Sequence, residues 1–186
     1  MCIRDRHRAV SSIVSRQLRN TVMVGPSVYM AYNFSDFIPP LVAMGAEVNL
    51  YSEGRMSLEA FLKRKRGQNI RDILTHVYVP VYREARGYYE AFRETSGDFP
   101  LLNLAITCLD GHYRIVFGAR PNGAFRARRA ERFLEENTAL PKDEKIRHAL
   151  KCMYEEVPFG GNLRASARYR SALAVGMLRQ GLEAVL

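Results

Sequence analysis

The sequence predicts an α+β protein built in two consecutive parts, and three observations carry that prediction. From about Ala9 to Pro80, short β-branched runs alternate with short apolar stretches, the pattern of a small α/β unit. Further on, Asp110-Gly111 stands between Leu109 and the run Tyr113 to Phe117, a strong hairpin signal because both central residues of the tight turn take positive φ. In the last quarter, Ile146, Leu150, Met153 and Val157 recur at helical spacing, as do Tyr169, Leu173, Met177, Leu178, Leu182 and Val185. The second part therefore reads as a three-stranded antiparallel sheet backed by helices.

The elements follow in order. Thr21 to Val24 reads as a short strand running into a Gly25-Pro26-Ser27 turn, where the missing side chain of Gly25 lets backbone amides approach an anion. Ser35 is placed to cap a short apolar helix through Ala43, with Asp36 in its first turn, where a carboxylate accepts hydrogen bonds from hydroxyls or amides. Ala46 to Tyr51 reads as a strand and Leu58 to Phe61 as a short helix. Lys63-Arg64-Lys65-Arg66 reads as a solvated loop. Asp72 to Val79 forms a strand closed by Pro80, and Val81 to Gly87 is a polar hinge. Strands over Tyr88 to Arg93 and Leu101 to Leu109 lead into the hairpin. Helices are expected over Arg128 to Asn137, over Lys142 to Val157, and from about Ser166 to the end.

Composition bounds the function. With 186 residues, 47% hydrophobic and 25% charged, the chain reads as soluble and intracellular, with room for one or two small cores. No apolar run approaches the roughly 20 residues of a membrane span, so no membrane insertion is expected, and the opening residues lack the apolar segment of a secretion signal. Cys2, Cys108 and Cys152 form no CxxC pair, and His7, His76, His112 and His148 show no paired-ligand spacing, so no metal site is expected. The net charge of +9, almost all of the excess arginine, makes nucleic acid the rival class. The Arg126 to Arg129 cluster reads instead as intrahelical pairing with Glu131, Glu135 and Glu136. Neither basic cluster is interleaved with aromatics as single-strand stacking requires, so the reading is of no nucleic-acid partner.

The order of pieces is more specific than any one of them. Arg19-Asn20 precedes Val24-Gly25, and Ser35-Asp36 leads into Pro39-Pro40-Leu41. The strand ending at Pro80, Tyr89-Glu90-Ala91-Phe92-Arg93, the hairpin, Gly118-Ala119-Arg120-Pro121 and the terminal Arg164-Ala165-Ser166-Ala167-Arg168-Tyr169-Arg170 complete the series. The series resembles the FAD-binding subunit of molybdenum hydroxylases, the family of xanthine dehydrogenase, aldehyde oxidase and aerobic carbon monoxide dehydrogenase.

That resemblance implies a fold and a site. Residues 9–81 would be the second half of a PCMH-type α/β FAD-binding domain, and residues 86–186 a carbon monoxide dehydrogenase flavoprotein C-terminal-like domain. Residues 1–8 would be a non-native leader standing where the family has another α/β half with a first glycine-rich loop. The implied cofactor is FAD, with a molybdenum cofactor and iron–sulfur clusters on partner subunits, a molybdenum-binding large one and an iron–sulfur small one, in the cytoplasm. Electrons would pass from the clusters through FAD to an acceptor such as NAD.

By position, Val24, Gly25, Pro26 and Ser27 occupy the phosphate loop, Asp36 anchors the ribityl or phosphate side, Leu74 packs near the isoalloxazine, and Arg93 is a basic residue close to the flavin. The sequence departs from the family where Pro26 replaces a glycine, removing an amide, and where Ser27 replaces an asparagine. Residue by residue, Asp36 also reads as a plain helix cap, Leu74 as core, and Arg93 as a strand residue paired with Glu90 or Glu94. A subunit acting only through protein contacts remains a second reading of the whole.

Overall fold

The structure, a computed structural model, describes residue 11 and residues 16–68, 70–82 and 84–186. The leader expected at residues 1–8 lies outside them. In chain order the elements are α1 (Arg16–Thr21), α2 (Val24–Met30), α3 (Ile38–Ala43), β1 (Glu47–Leu50), β2 (Gly54–Ser57), α4 (Leu58–Gly67), β3 (Leu74–Tyr78), β4 (Arg86–Phe92), β5 (Leu102–Leu109), β6 (His112–Gly118), β7 (Phe125–Arg126), α5 (Arg128–Glu136), α6 (Lys142–Glu156) and α7 (Ala167–Val185). Two antiparallel sheets result, ordered β2-β1-β3 and β4-β5-β6-β7.

The hairpin forms where the sequence places it. Asp110 and Gly111 take φ of 50° and 81°, so the turn matches the twist of β5 and β6. Strand β5 is buried along nearly its whole length, on both faces. Leu102, Leu104, Ile106 and Cys108 join the core made with α5, α6 and α7, whereas Ala105 joins the core built on α3, β1 and α4. Two polar residues on that second face donate to α3 and its entry: Thr107 Oγ1 to the Ala43 carbonyl at 2.6 Å, and Asn103 Nδ2 to the Ser35 carbonyl at 3.0 Å, while Asn103 Oδ1 is buried without a partner. A buried hydroxyl without such a partner would cost about 1–3 kcal/mol.

Four sequence expectations are corrected. Thr21 to Val24 is not a strand, because α1 ends at Thr21, Val22 and Met23 form an extended link, and α2 begins at Val24. A β-branched run needs a partner strand, whereas Pro26 has the φ of a first helical turn already set and loses no intrahelical bond there. Lys63 to Arg66 is not a loop but the second half of α4, which Ser57 caps by accepting from the Ala60 N–H at 3.1 Å. Glu59 in its first turn and Arg64, Lys65 and Arg66 in its last complement the helix dipole, a reason for the helix to run on. Tyr169, expected in the core, is 45% exposed and stands edge-on to Phe92, while Met177, Leu178, Leu182 and Val185 are buried as expected. Finally, the Arg126 to Arg129 cluster pairs between elements: Arg126 and Arg128 reach Glu59, Arg129 reaches Glu155, and Arg126 on β7 meets Glu131 of α5. Strands β2 and β7, each four residues or fewer, were not anticipated.

Two substitutions test this packing. A Cβ at Gly181 of α7 would lie 2.6 Å from Ile106 Cδ1 and 2.9 Å from Tyr88 Cδ1, so Gly181→Leu should cost about 1–3 kcal/mol in urea unfolding, whereas Gly176→Leu, whose Cβ meets nothing within 4 Å, should not. Glu131, 4% exposed, accepts from the Ile115 N–H at 2.7 Å and from Arg126 Nε at 2.9 Å. Glu131→Ala should therefore destabilise by about 3–5 kcal/mol, and Glu131→Gln, which keeps an acceptor for Ile115, by clearly less.

Candidate functional site

Helix α2 is held by Val28, which is fully buried in the α3–β1–α4 core. Its first turn faces an open groove of about 410 Å³ lined by Gly25, Pro26, Tyr29, Met30, Asp72 and Leu74. Thus the structure brings Gly25 and Pro26 together with Leu74, almost fifty residues away in sequence. Neighbouring contacts hold the walls. Tyr29 Oη donates to the Ile70 carbonyl at 2.6 Å, and the Lys65 ammonium sits 3.9 Å from the Tyr29 ring centroid. The Asp72 carboxylate accepts from the Ser52 N–H at 3.1 Å and the Ile73 N–H at 2.7 Å. Leu74, half-buried, pairs with Leu50 at the edge of the small sheet.

The first turn of any helix leaves backbone amides without an intrahelical acceptor. Here Val24 and Gly25 have such amides and Pro26 has none. A Cβ at Gly25 would meet nothing within 4 Å, so the backbone at this point is open to a ligand. Ser27 contributes less than its position implied, because its hydroxyl donates to the Met23 carbonyl at 2.7 Å and its N–H to the same oxygen at 3.2 Å. Val24 projects an exposed side chain.

A second centre joins Asp36 and Arg93. Ser35 is not the N-cap of α3, which is Phe37, but from two residues earlier its Oγ still accepts from the Phe37 N–H at 3.1 Å and the Ile38 N–H at 3.2 Å. Asp36 lies before the helix rather than in its first turn, so its carboxylate is released for tertiary contacts. Its Oδ1 accepts from Arg93 Nη2 at 2.6 Å and from Tyr89 Oη at 2.8 Å. Both charged side chains are nearly buried, 9% and 10% exposed. Arg93 therefore pairs with neither Glu90 nor Glu94, and its Nη1 donates to the Asp98 carbonyl at 2.8 Å. Beside this pair in the chain, Phe34 stacks on Tyr32 at 5.2 Å between centroids and touches Phe99 at 4.2 Å, an exposed aromatic row.

Tyr29, Met30 and Tyr89 were not singled out from sequence. Tyr29 and Met30 sit four residues after Gly25 and Pro26, a helical spacing hidden while the segment is read as a strand. The long-range contact of Tyr89 with Asp36 has no local signal. The groove joins open backbone at Gly25 to apolar walls at Met30 and Leu74, and the ion pair of Asp36 and Arg93 forms a separate centre. Such a mixture fits a ligand with an anionic part and an apolar part.

Known proteins give the ligand a class. Residues 2–82 match the family model of the FAD binding domain in molybdopterin dehydrogenase, and residues 87–185 match that of the CO dehydrogenase flavoprotein C-terminal domain. Among solved structures, carbon monoxide dehydrogenase from Hydrogenophaga pseudoflava is similar with a TM-score of 0.84 at 22% identity, over 98% of this chain and 67% of that one. Quinoline 2-oxidoreductase from Pseudomonas putida 86 gives 0.82 at 19% identity, over 99% and 67%. The reconstituted CO dehydrogenase from Oligotropha carboxidovorans gives 0.81 at 19% identity, over 98% and 67%. These likenesses show a shared fold, and this chain spans 67% of the length of each. No curated protein matches by sequence. On the two family models, which together span most of its residues, the chain belongs to the family of FAD-binding subunits of molybdenum hydroxylases.

Proposed function

We propose that this chain is an electron-transfer flavoprotein subunit, taking electrons from iron–sulfur clusters and delivering them to an acceptor such as NAD. It would work in the cytoplasm beside a molybdenum-binding large subunit and an iron–sulfur small subunit, with residues 9–81 as the flavin-domain part and residues 86–186 as the C-terminal domain. The observation that supports the reading most is the single groove joining Gly25 and Pro26 to Leu74. When bound, FAD supplies the redox chemistry, and the protein supplies position and electrostatics. The first-turn amides of Val24 and Gly25 would hold a phosphate, Leu74 and Met30 would exclude water from the apolar part, and Asp36 would hold a hydroxyl while steadying Arg93. A guanidinium at Arg93 would favour the extra negative charge of the reduced state.

Arg126, Arg128 and Arg129 are already engaged by glutamates, which leaves that cluster little to offer a nucleic-acid backbone. A second reading, a subunit that acts through protein contacts alone, is favoured by Pro26 and Ser27. The one lacks an amide and the other has a hydroxyl already donated to Met23.

Pro26→Ala restores an amide in the first turn of α2 without disfavouring the helix, and should tighten FAD binding by about 1.5–3 kcal/mol in a fluorescence titration. An unchanged dissociation constant would separate this loop from phosphate. Arg93→Gln should lower the potential of bound FAD by about 30 mV or more, equivalent to about 1.4 kcal/mol for two electrons, and Arg93→Lys should restore most of it. Equal potentials in all three proteins would remove Arg93 from the flavin's surroundings.

A further inference from the structure

Another cavity, of about 360 Å³, opens between α4 and the β7–α5 junction. It shares no lining residue with the groove at Gly25. Its floor is apolar, made by Val42, Leu62, Ala124 and Phe125, and charged side chains of α4, β7 and α5 ring its mouth. Their partners divide them into two groups. On one side, Arg126 and Arg128 are tied to Glu59, and Arg126 also to Glu131. On the other, Lys63 and Arg66 have no carboxylate within ion-pair distance among the described residues. Arg66 is nonetheless held in place, because its Nη2 donates to the Ala124 carbonyl at 2.5 Å while its other N–H groups remain available.

More positive charge stands behind the wall. Arg120 is 2% exposed, its guanidinium carbon lies 4.7 Å from the Phe125 ring centroid, and its Nε is buried without a hydrogen-bond partner. Burial, with the nearby charge of Arg66, lowers its pKa to about 10. A buried cation with no anion is costly, and an anion at the adjoining mouth offsets that cost. Bulk phosphate alone would leave the apolar floor unused, and a purely apolar ligand would leave Lys63 and Arg66 unused.

We propose that this cleft is a second ligand site, for a small amphipathic organic anion. Its flat apolar body rests on Leu62 and Phe125, and its carboxylate or phosphate meets Lys63 and Arg66. The site lies where an element of the first part meets an element of the second, so an occupant would brace α4 against β7 and α5. It does not depend on the flavin reading.

Titration calorimetry of the full chain with phenyl phosphate, benzoate and inorganic phosphate tests it. Phenyl phosphate should bind at least tenfold more tightly than inorganic phosphate, and the ratio of phenyl phosphate to benzoate tells which head group Lys63 and Arg66 prefer. Lys63→Gln with Arg66→Gln should weaken the favoured probe at least tenfold while thermal stability falls only by about the loss of one exposed hydrogen bond, that of Arg66 to the Ala124 carbonyl. The proposal is overturned if no probe binds, if inorganic phosphate binds as well as phenyl phosphate, or if the double variant binds like the parent. Displacement of the probe by FAD would also overturn it, by merging the cleft with the flavin site. Failure of FAD to bind at all would count against the flavin reading only.

Discussion

Burial of β5 on both faces is the constraint from which the rest follows. A strand with one wet face would let the two parts of the chain fold as neighbours. Because Ala105, Asn103 and Thr107 are covered by α3, the sheet of the second part is also a wall of the first. The polar atoms of Asn103 and Thr107 fix where α3 begins and ends, through the carbonyls of Ser35 and Ala43. Asp36 follows Ser35, so the register that gives Asn103 Nδ2 its acceptor also delivers the Asp36 carboxylate to Tyr89 and Arg93 on and beyond β4. The nearly buried ion pair is thus a consequence of the wall. Removing either member would leave a charge with little water, which is the expensive way to break such a pair.

The arginine excess has a structural use before any functional one. Arg126 and Arg128 meet Glu59, joining α4 to β7 and α5, and Arg129 meets Glu155 to join α5 to α6. Arg170, 1% exposed, donates to the carbonyls of Leu101, Gly160 and Ala165, tying the start of α7 to the entry of β5. A net charge of +9 alone would point to an anionic polymer. Where each guanidinium goes decides otherwise for many of them, and around the cleft at α4 it leaves Lys63, Arg66 and Arg120 without a carboxylate among the described residues.

Much of the fold was legible because its signals are local. Asp110-Gly111 specifies a turn, and the spacing of Ile146, Leu150, Met153 and Val157 specifies one helical face that is buried throughout. The errors arose where local preference met a longer-range condition. Thr21 to Val24 is β-prone, but propensity without a partner strand yields to the first-turn geometry of Pro26. The four basic residues after Leu62 look like a loop until the dipole they complement and the cap at Ser57 are considered together. Of the candidate site, the family resemblance picked out Gly25, Pro26 and Leu74, which share a groove, and Asp36 and Arg93, which share an ion pair. Tyr29 and Tyr89 were invisible, one because its helix was misread and the other because its contact crosses fifty-three positions.

On the proposed reading, FAD lies against the open backbone at Gly25. The most direct measurement is FAD affinity, by flavin fluorescence, for the parent chain and for Gly25→Phe, a position where an added side chain meets no protein atom within 4 Å at its Cβ. The account predicts that the parent binds FAD and that the variant, with the same unfolding midpoint, binds at least tenfold more weakly. Equal affinity in the two proteins, or no binding by the parent, would contradict it.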